Sequence, residues 1–237
     1  AHVWIFPRRI GKILKYRNIE EIRGWCPVKA RYVVRLFLTT FFVGGIAAVV
    51  TGMAVNRGEF AQYFADFAGK EIFLPVLWFF AVGLLFSAIS QMGFFAYLFI
   101  HRFGLAIFKS ARLWNAVQIV LIAFALFDLV YFRYAAFGEG EGILPFVLPA
   151  AVIFFAGLVV AYLKAKSTHP GTFIPALFFM VVATIIEWIP AVQTNEPGWL
   201  HLMLYPLLIC NAYQMLILHK YNEKSAGESL MGKEAAR

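Results

Sequence analysis

Four ionisable residues stand inside or beside strongly apolar runs of this 237-residue chain: Asp128, Arg133, Glu187 and His201. A carboxylate in a bilayer is costly unless it faces the bundle interior, finds a partner or serves a pathway. Asp128 with Arg133 and Glu187 with His201 are the ion pairs that their positions invite, near one membrane surface. Movement of protons or ions through Asp128 and Glu187 is the second chemistry open to this outer cluster. A metal site is the weakest, because one His and two carboxylates on different segments make a poor ligand set. A second group is uncharged: Gln91, the pair Asn115/Gln118 and the pair Asn211/Gln214, with Ser87 and Ser90 beside Gln91. The i, i+3 spacing puts two amides on one helix face. There they suit interhelical hydrogen bonds worth about 0.6 kcal/mol each on average. This inner layer serves either as packing glue or as a ligand or partner contact.

Catalytic constellations are missing from the sequence. It contains no GxSxG, no HExxH and no phosphate-cradling glycine loop. The acidic turn GEGEG at 138–142 has too few ligands for calcium. The reading therefore assigns no catalytic residue, no metal and no cofactor, and a membrane-embedded enzyme ranks last because acid, base and nucleophile do not converge. Cys26 and Cys210 are the only cysteines. One lies in a basic stretch and one in an apolar segment, a poor basis for a disulfide or a zinc site.

The elements that must position these residues follow from composition. Hydrophobic residues make up 62% of the chain and charged residues 14%, against about 25% charged in a soluble domain. The chain reads as an all-α, polytopic integral membrane protein. A bilayer core about 30 Å thick needs roughly 20 apolar residues per helix. Six segments qualify, approximately Val33 to Val55, Ile72 to Ile100, Trp114 to Phe132, Ile143 to Leu163, Phe173 to Val192 and Trp199 to Leu218. The second is long enough to tilt or to run on into an interfacial turn. In domain terms, residues 1–28 are a basic arm, 29–221 a six-helix membrane domain and 222–237 a cytoplasmic tail.

Orientation rests on Lys and Arg. Eighteen of the 21 fall between Arg8 and Arg35, in the second and fourth connections and from Lys220 onward. Only Arg57, Lys70 and Arg133 fall on the other side, which places both termini in the cytoplasm. The net charge of +8 is thus a topology signal and gives no reason to expect nucleic acid. Partners are membrane lipids and other membrane proteins, with association of two copies left open, and the location is the plasma membrane. Arg23-Gly24 could be encoded by AGG-GG a few codons before Val28, itself encodable by GTG. The expectation is that translation starts at Val28; the rival reading is a basic arm on the membrane surface.

Two local features bear on partners. Gly44, Ala48 and Gly52 form a groove of small residues along the first span, suited to internal packing or to another membrane protein. The connection 101–113 carries Arg102, Lys109 and Arg112 on one side and Phe103, Ala106, Ile107 and Phe108 elsewhere. It is expected to lie in the inner interface with basic tips toward anionic headgroups. His101 reads as a plain interfacial histidine, since nothing like a kinase histidine helix surrounds it.

The words SQMGFFAYL, HRFGL, FKS and LWNAVQ between residues 90 and 118, followed by FDLVYFRY at 127–134, resemble the KinB-signalling pathway activation family, KbaA, of spore-forming bacilli. VRLFLTTFFVGG at 34–45 is similar to that family's first span. The resemblance covers roughly residues 29–221 of the chain. It implies a polytopic membrane protein that activates the sensor histidine kinase KinB and so feeds the phosphorelay that starts sporulation. It carries over no catalytic residue. On this reading the second, third and sixth spans, with the 101–113 segment, contact the kinase's membrane domain or an associated membrane component. The reading from another class is a small ion-coupled transporter using Asp128 and Glu187.

Overall fold

The computed structural model describes residues 30–65, 69–140 and 142–234. The basic arm 1–28, with its start-site expectation and Cys26, lies outside the described residues. The described residues form helices and no strand. In chain order these are α1 (Ala30–Val55), α2 (Arg57–Ala65), α3 (Gly69–Phe108), α4 (Ala111–Phe137) and α5 (Leu144–Ser167). A 3-10 turn (Pro170–Thr172), α6 (Phe173–Phe178), a π turn (Phe179–Ala183), α7 (Thr184–Thr194) and α8 (Pro197–Glu234) complete the chain. Six of these stretches are long and apolar enough to cross a membrane, the fifth being the broken segment Pro170–Thr194.

Apolar side chains on the outside identify the solvent. Phe42, Phe73, Trp78, Phe99, Phe124 and Phe155 are each more than 60% exposed. A water-soluble protein does not tolerate so continuous an apolar surface, whereas helices that satisfy their own backbone can present it to lipid. The fold is that of a multi-pass membrane protein.

Contacts divide the chain into two units, one comprising 36–217 and the other made of residues up to 35 with those from 218 onward. In the larger unit the fifth and sixth spans carry the largest buried share and form the centre. Close approach of α1 to α3 depends on small residues. A Cβ on Gly83 would stand 2.5 Å from the Gly44 carbonyl oxygen, and one on Gly44 would stand 2.6 Å from the Ser87 Cβ. The groove of Gly44, Ala48 and Gly52 is therefore filled from within, by Gly83, Ser87 and the Phe79 ring. In the smaller unit, Glu228 forms an ion pair with Arg31 and accepts from the Tyr32 hydroxyl. The Tyr32 and Tyr221 rings lie 5.8 Å apart.

Three elements run differently from the hydropathy boundaries. α3 continues without a break through His101 to Phe108, because HRFGLAIF contains no proline and keeps its hydrogen-bond ladder. Forty residues at 1.5 Å each reach about 60 Å, well beyond a 30 Å core. The chain turns only at Lys109, whose φ is 52°, and Ser110, whose side chain accepts from the Leu113 N–H to cap α4. The fifth span is interrupted by the π turn, which inserts an extra residue into the helical repeat and rephases the faces of α7 relative to α6. α8 carries on to Glu234, so most of the expected tail is helical.

Candidate functional site

A polar network lies in the core of the larger unit. Ser90 on α3 donates its hydroxyl to Asn211 Oδ1 on α8 at 2.7 Å. Gln214 Nε2, one turn further along α8, donates to Ser90 Oγ at 2.7 Å. Asn211 Nδ2 donates to Glu187 Oε2 at 2.7 Å and to Thr184 Oγ1 at 2.9 Å, both on α7. On the other side of α3, Gln91 Nε2 donates to Ser87 Oγ at 3.2 Å, and Ser87 donates to the Thr40 carbonyl of α1 at 2.9 Å. All these side chains are buried. Each bond in the run Gln214–Ser90–Asn211–Glu187 polarises the next, and a low-dielectric surrounding strengthens them all.

Local geometry explains why Glu187 joins this group. α7 and α8 are antiparallel, joined through Asn195, whose left-handed backbone (φ 50°) lets its N–H close on the Ala191 carbonyl, and through Glu196. Side chains on a helix lean toward its N-terminus. Glu187 therefore leans down α7 while Asn211 leans up α8, and the two meet across an offset that their Cα positions leave open. Gly93 on α3 completes the contact: a methyl group there would overlap Glu187 Oε1. That oxygen has no hydrogen-bond partner among the described residues.

The other amides behave differently. Gln118 is 0% exposed, yet neither atom of its amide has a partner among the described residues. Asn115 is half-buried and does not reach the network. The structure thus brings together Asn211 and Gln214 through Ser90, with Gln91 on the far side of α3, and leaves Asn115 and Gln118 apart from them.

The outer cluster is also split. Neither Asp128–Arg133 nor Glu187–His201 forms an ion pair. Arg133 is buried and donates from Nε to Asn195 Oδ1 at 3.0 Å, with its guanidinium 5.2 Å from the Phe146 ring. His201 donates from Nδ1 to its own helix, at the Pro197 carbonyl, 2.7 Å away. Asp128 is half-buried on α4 and bonds to no other described residue.

At the α3–α4 turn, Trp114 Nε1 donates to His101 Nδ1 at 3.1 Å and stacks on Phe108 at 5.6 Å. A side chain at Gly104 would run into the Trp114 ring. The turn is a packed corner, and Arg102, Lys109 and Arg112 project from it exposed.

Sequence reasoning passed over Thr184, Gly93 and Lys164. Thr184 stands three residues before Glu187, hence on its face, a signal that could have been read. Lys164 counted as part of a connection, but its side chain is buried and donates to the Met215 carbonyl of α8 at 2.8 Å.

Fold and site together define a class: a polytopic helical membrane protein whose core is tied by neutral amides and hydroxyls around one carboxyl side chain. Among the described residues no three of His, Cys, Asp and Glu stand close enough to hold a metal ion. Residues 44–221 match the family model of KbaA, described as KinB-signalling pathway activation in sporulation, and the chain belongs to that family. It is 44% identical over 199 residues to the KinB-signaling pathway activation protein of Bacillus subtilis (strain 168), covering 83% of this chain and 100% of that protein. No solved structure matches the chain.

Proposed function

We propose that this protein is a regulator in the plasma membrane, not an enzyme, that activates the KinB sensor histidine kinase pathway leading to the sporulation phosphorelay. Family membership and the near-complete coverage of the Bacillus subtilis relative support the pathway. The mode of action is contact between helices in the membrane, with KinB or with a membrane component associated with it. Such a contact shifts a kinase's signalling equilibrium only by binding its two states with different affinity.

One observation supports a place for that contact. Gln91, Asn211 and Gln214 spend their polar groups inside the bundle, so they fix how α3, α7 and α8 pack and are not the partner surface. The rigid α3–α4 corner instead presents Arg102, Lys109 and Arg112 outward. With eighteen of 21 basic residues assigned to the cytoplasmic side, this corner and both termini face the cytoplasm, next to anionic lipid headgroups.

The test replaces Arg102, Lys109 and Arg112 together by Ala in cells that report KinB-dependent sporulation, with membrane levels measured in parallel. Loss of the KinB-dependent signal at unchanged membrane level, together with loss of co-purification of KinB, is the expected outcome. A variant that accumulates normally and still activates the kinase fully would remove the corner from the mechanism.

A further inference from the structure

Two carboxyl groups stand within apolar runs of the chain, and the bundle answers only one of them. Glu187 is enclosed and accepts from Asn211. Asp128 is half-buried on α4 and has no hydrogen bond or ion pair with any described residue. The stripe that α4 buries runs through Trp114, Gln118, Ile122, Leu129 and Arg133, and Asp128 lies beside it. One turn to either side of Asp128, Phe124, Tyr131 and Phe132 are each more than half exposed. The carboxyl group therefore stands at the edge of the face that α4 turns to lipid.

Its depth excludes the headgroups as partners. Trp114 and Tyr134, aromatic residues near the two ends of α4, are twenty residues apart. At 1.5 Å each that is about 30 Å, the thickness of the hydrocarbon core. Phe124 lies midway, and Asp128 is four residues, about 6 Å, beyond it. The nearer headgroup level is six residues further on, about 9 Å. The short side chain of Asp does not span that distance, and its Cβ leans toward the helix N-terminus, back toward the membrane centre.

A carboxyl group in a spanning segment pairs or serves a pathway. A pathway needs polar neighbours, and those along this face of α4 are Leu121, Phe124, Ala125 and Phe132. A second copy meeting the face about a two-fold axis would bring one carboxyl group toward another, so like charge opposes self-pairing. A cationic side chain answers it. We propose that this face of α4 docks a transmembrane helix of another protein, one that carries a Lys or Arg within its apolar run at the depth of Asp128. In lipid each charge is costly without the other, so the pair fixes the depth and the orientation of the incoming helix. The surface is separate from the basic corner: Asp128 lies sixteen residues along α4 from Arg112, about 24 Å. It adds an intramembrane contact to the one proposed at the cytoplasmic side.

The test places the full chain in phosphatidylcholine vesicles with a labelled Leu-rich transmembrane peptide that has a single Lys at its centre, and reads association by energy transfer. A second peptide has Leu in place of that Lys. The expected result is association of the Lys peptide at least about tenfold tighter than the Leu peptide, a preference lost in Asp128→Leu. Should that variant fail to fold, Asp128→Asn, which removes the charge alone, takes its place. Lys and Leu peptides bound alike, or a Lys preference that survives loss of the carboxyl group, overturns the proposal. In cells, a photo-crosslinking residue in place of Phe124 captures the native neighbour. Capture of a membrane protein with Lys or Arg in a transmembrane run, falling about tenfold in the Asp128 variant, agrees with it. Capture that the variant leaves unchanged, or capture only of a second copy of this chain or of lipid, overturns it.

Discussion

Asn211→Leu removes the polar atoms from the network while keeping a side chain branched at Cγ. Asn211 takes part in three hydrogen bonds, accepting from Ser90 and donating to Thr184 and Glu187. At about 0.6 kcal/mol each for a membrane interior, their loss amounts to about 2 kcal/mol. Glu187 is then left without its described partner on Oε2, in addition to Oε1, and stranding a buried polar group costs about 1–3 kcal/mol. Ser90 loses less, since Gln214 still donates to it. No compensating gain comes from the new leucine, because lipid tails are as apolar as its side chain and give it no reason to prefer the bundle. The expected destabilisation is about 3–5 kcal/mol, read by reversible unfolding in mixed micelles. The same reasoning requires coupling: Glu187→Leu combined with Asn211→Leu should cost less than the two single changes added, by about 1 kcal/mol or more. A single variant within about 0.5 kcal/mol of the native protein, or a double variant that is simply additive, would refute the network as described.

Two further outcomes test close approach. Gly93→Ala inserts a methyl group against Glu187 Oε1, so it should destabilise by about 1–3 kcal/mol, with part of that loss recovered when Glu187→Ala is added. Full native stability for Gly93→Ala in the unfolding assay would mean that the carboxyl group does not lie against α3. Gly83→Ala drives a Cβ into the backbone of α1, 2.5 Å from the Gly44 carbonyl oxygen, with an expected cost of about 1–3 kcal/mol. Its control is Gly58→Ala in α2, where the new methyl meets nothing within 4 Å and helix propensity should yield a gain of up to about 1 kcal/mol. Equal responses at the two positions would contradict the α1–α3 packing.

Much of the architecture was legible because lipid leaves the backbone few choices. Every peptide group must be satisfied within its own segment, so about 20 apolar residues mean a spanning helix, and six such runs became six such stretches. What was not legible depends on tertiary detail. Hydropathy ended the second span at Ile100, since it registers the arrival of His101 and Arg102, but a helix ends where its hydrogen bonds end, nine residues later at Lys109 and Ser110. The π turn falls in FMVVA, which contains neither proline nor glycine, so no local residue announces it. The same limit governs the site. Spacing puts Asn211 and Gln214 on one face, and both bond Ser90. Asn115 and Gln118 share that spacing yet stand outside the network, because spacing fixes which residues share a face and not what the neighbouring helix offers.

Glu187 shows what depth counting leaves out and why it matters for mechanism. By distance along the chain it belongs with the charged residues of the outer end, where His201 would be its natural partner. Its side chain leans inward, Asn211 leans outward, and the carboxyl group enters the neutral network instead. The π turn lies immediately before Thr184, so the face of α7 that carries Thr184 and Glu187 is set by that irregular turn. Regularising the turn by one residue would rotate this face by about 100° and withdraw both side chains from Asn211. The network therefore fixes α7 in the phase that the π turn sets, and with it the way α7 packs against α3 and α8.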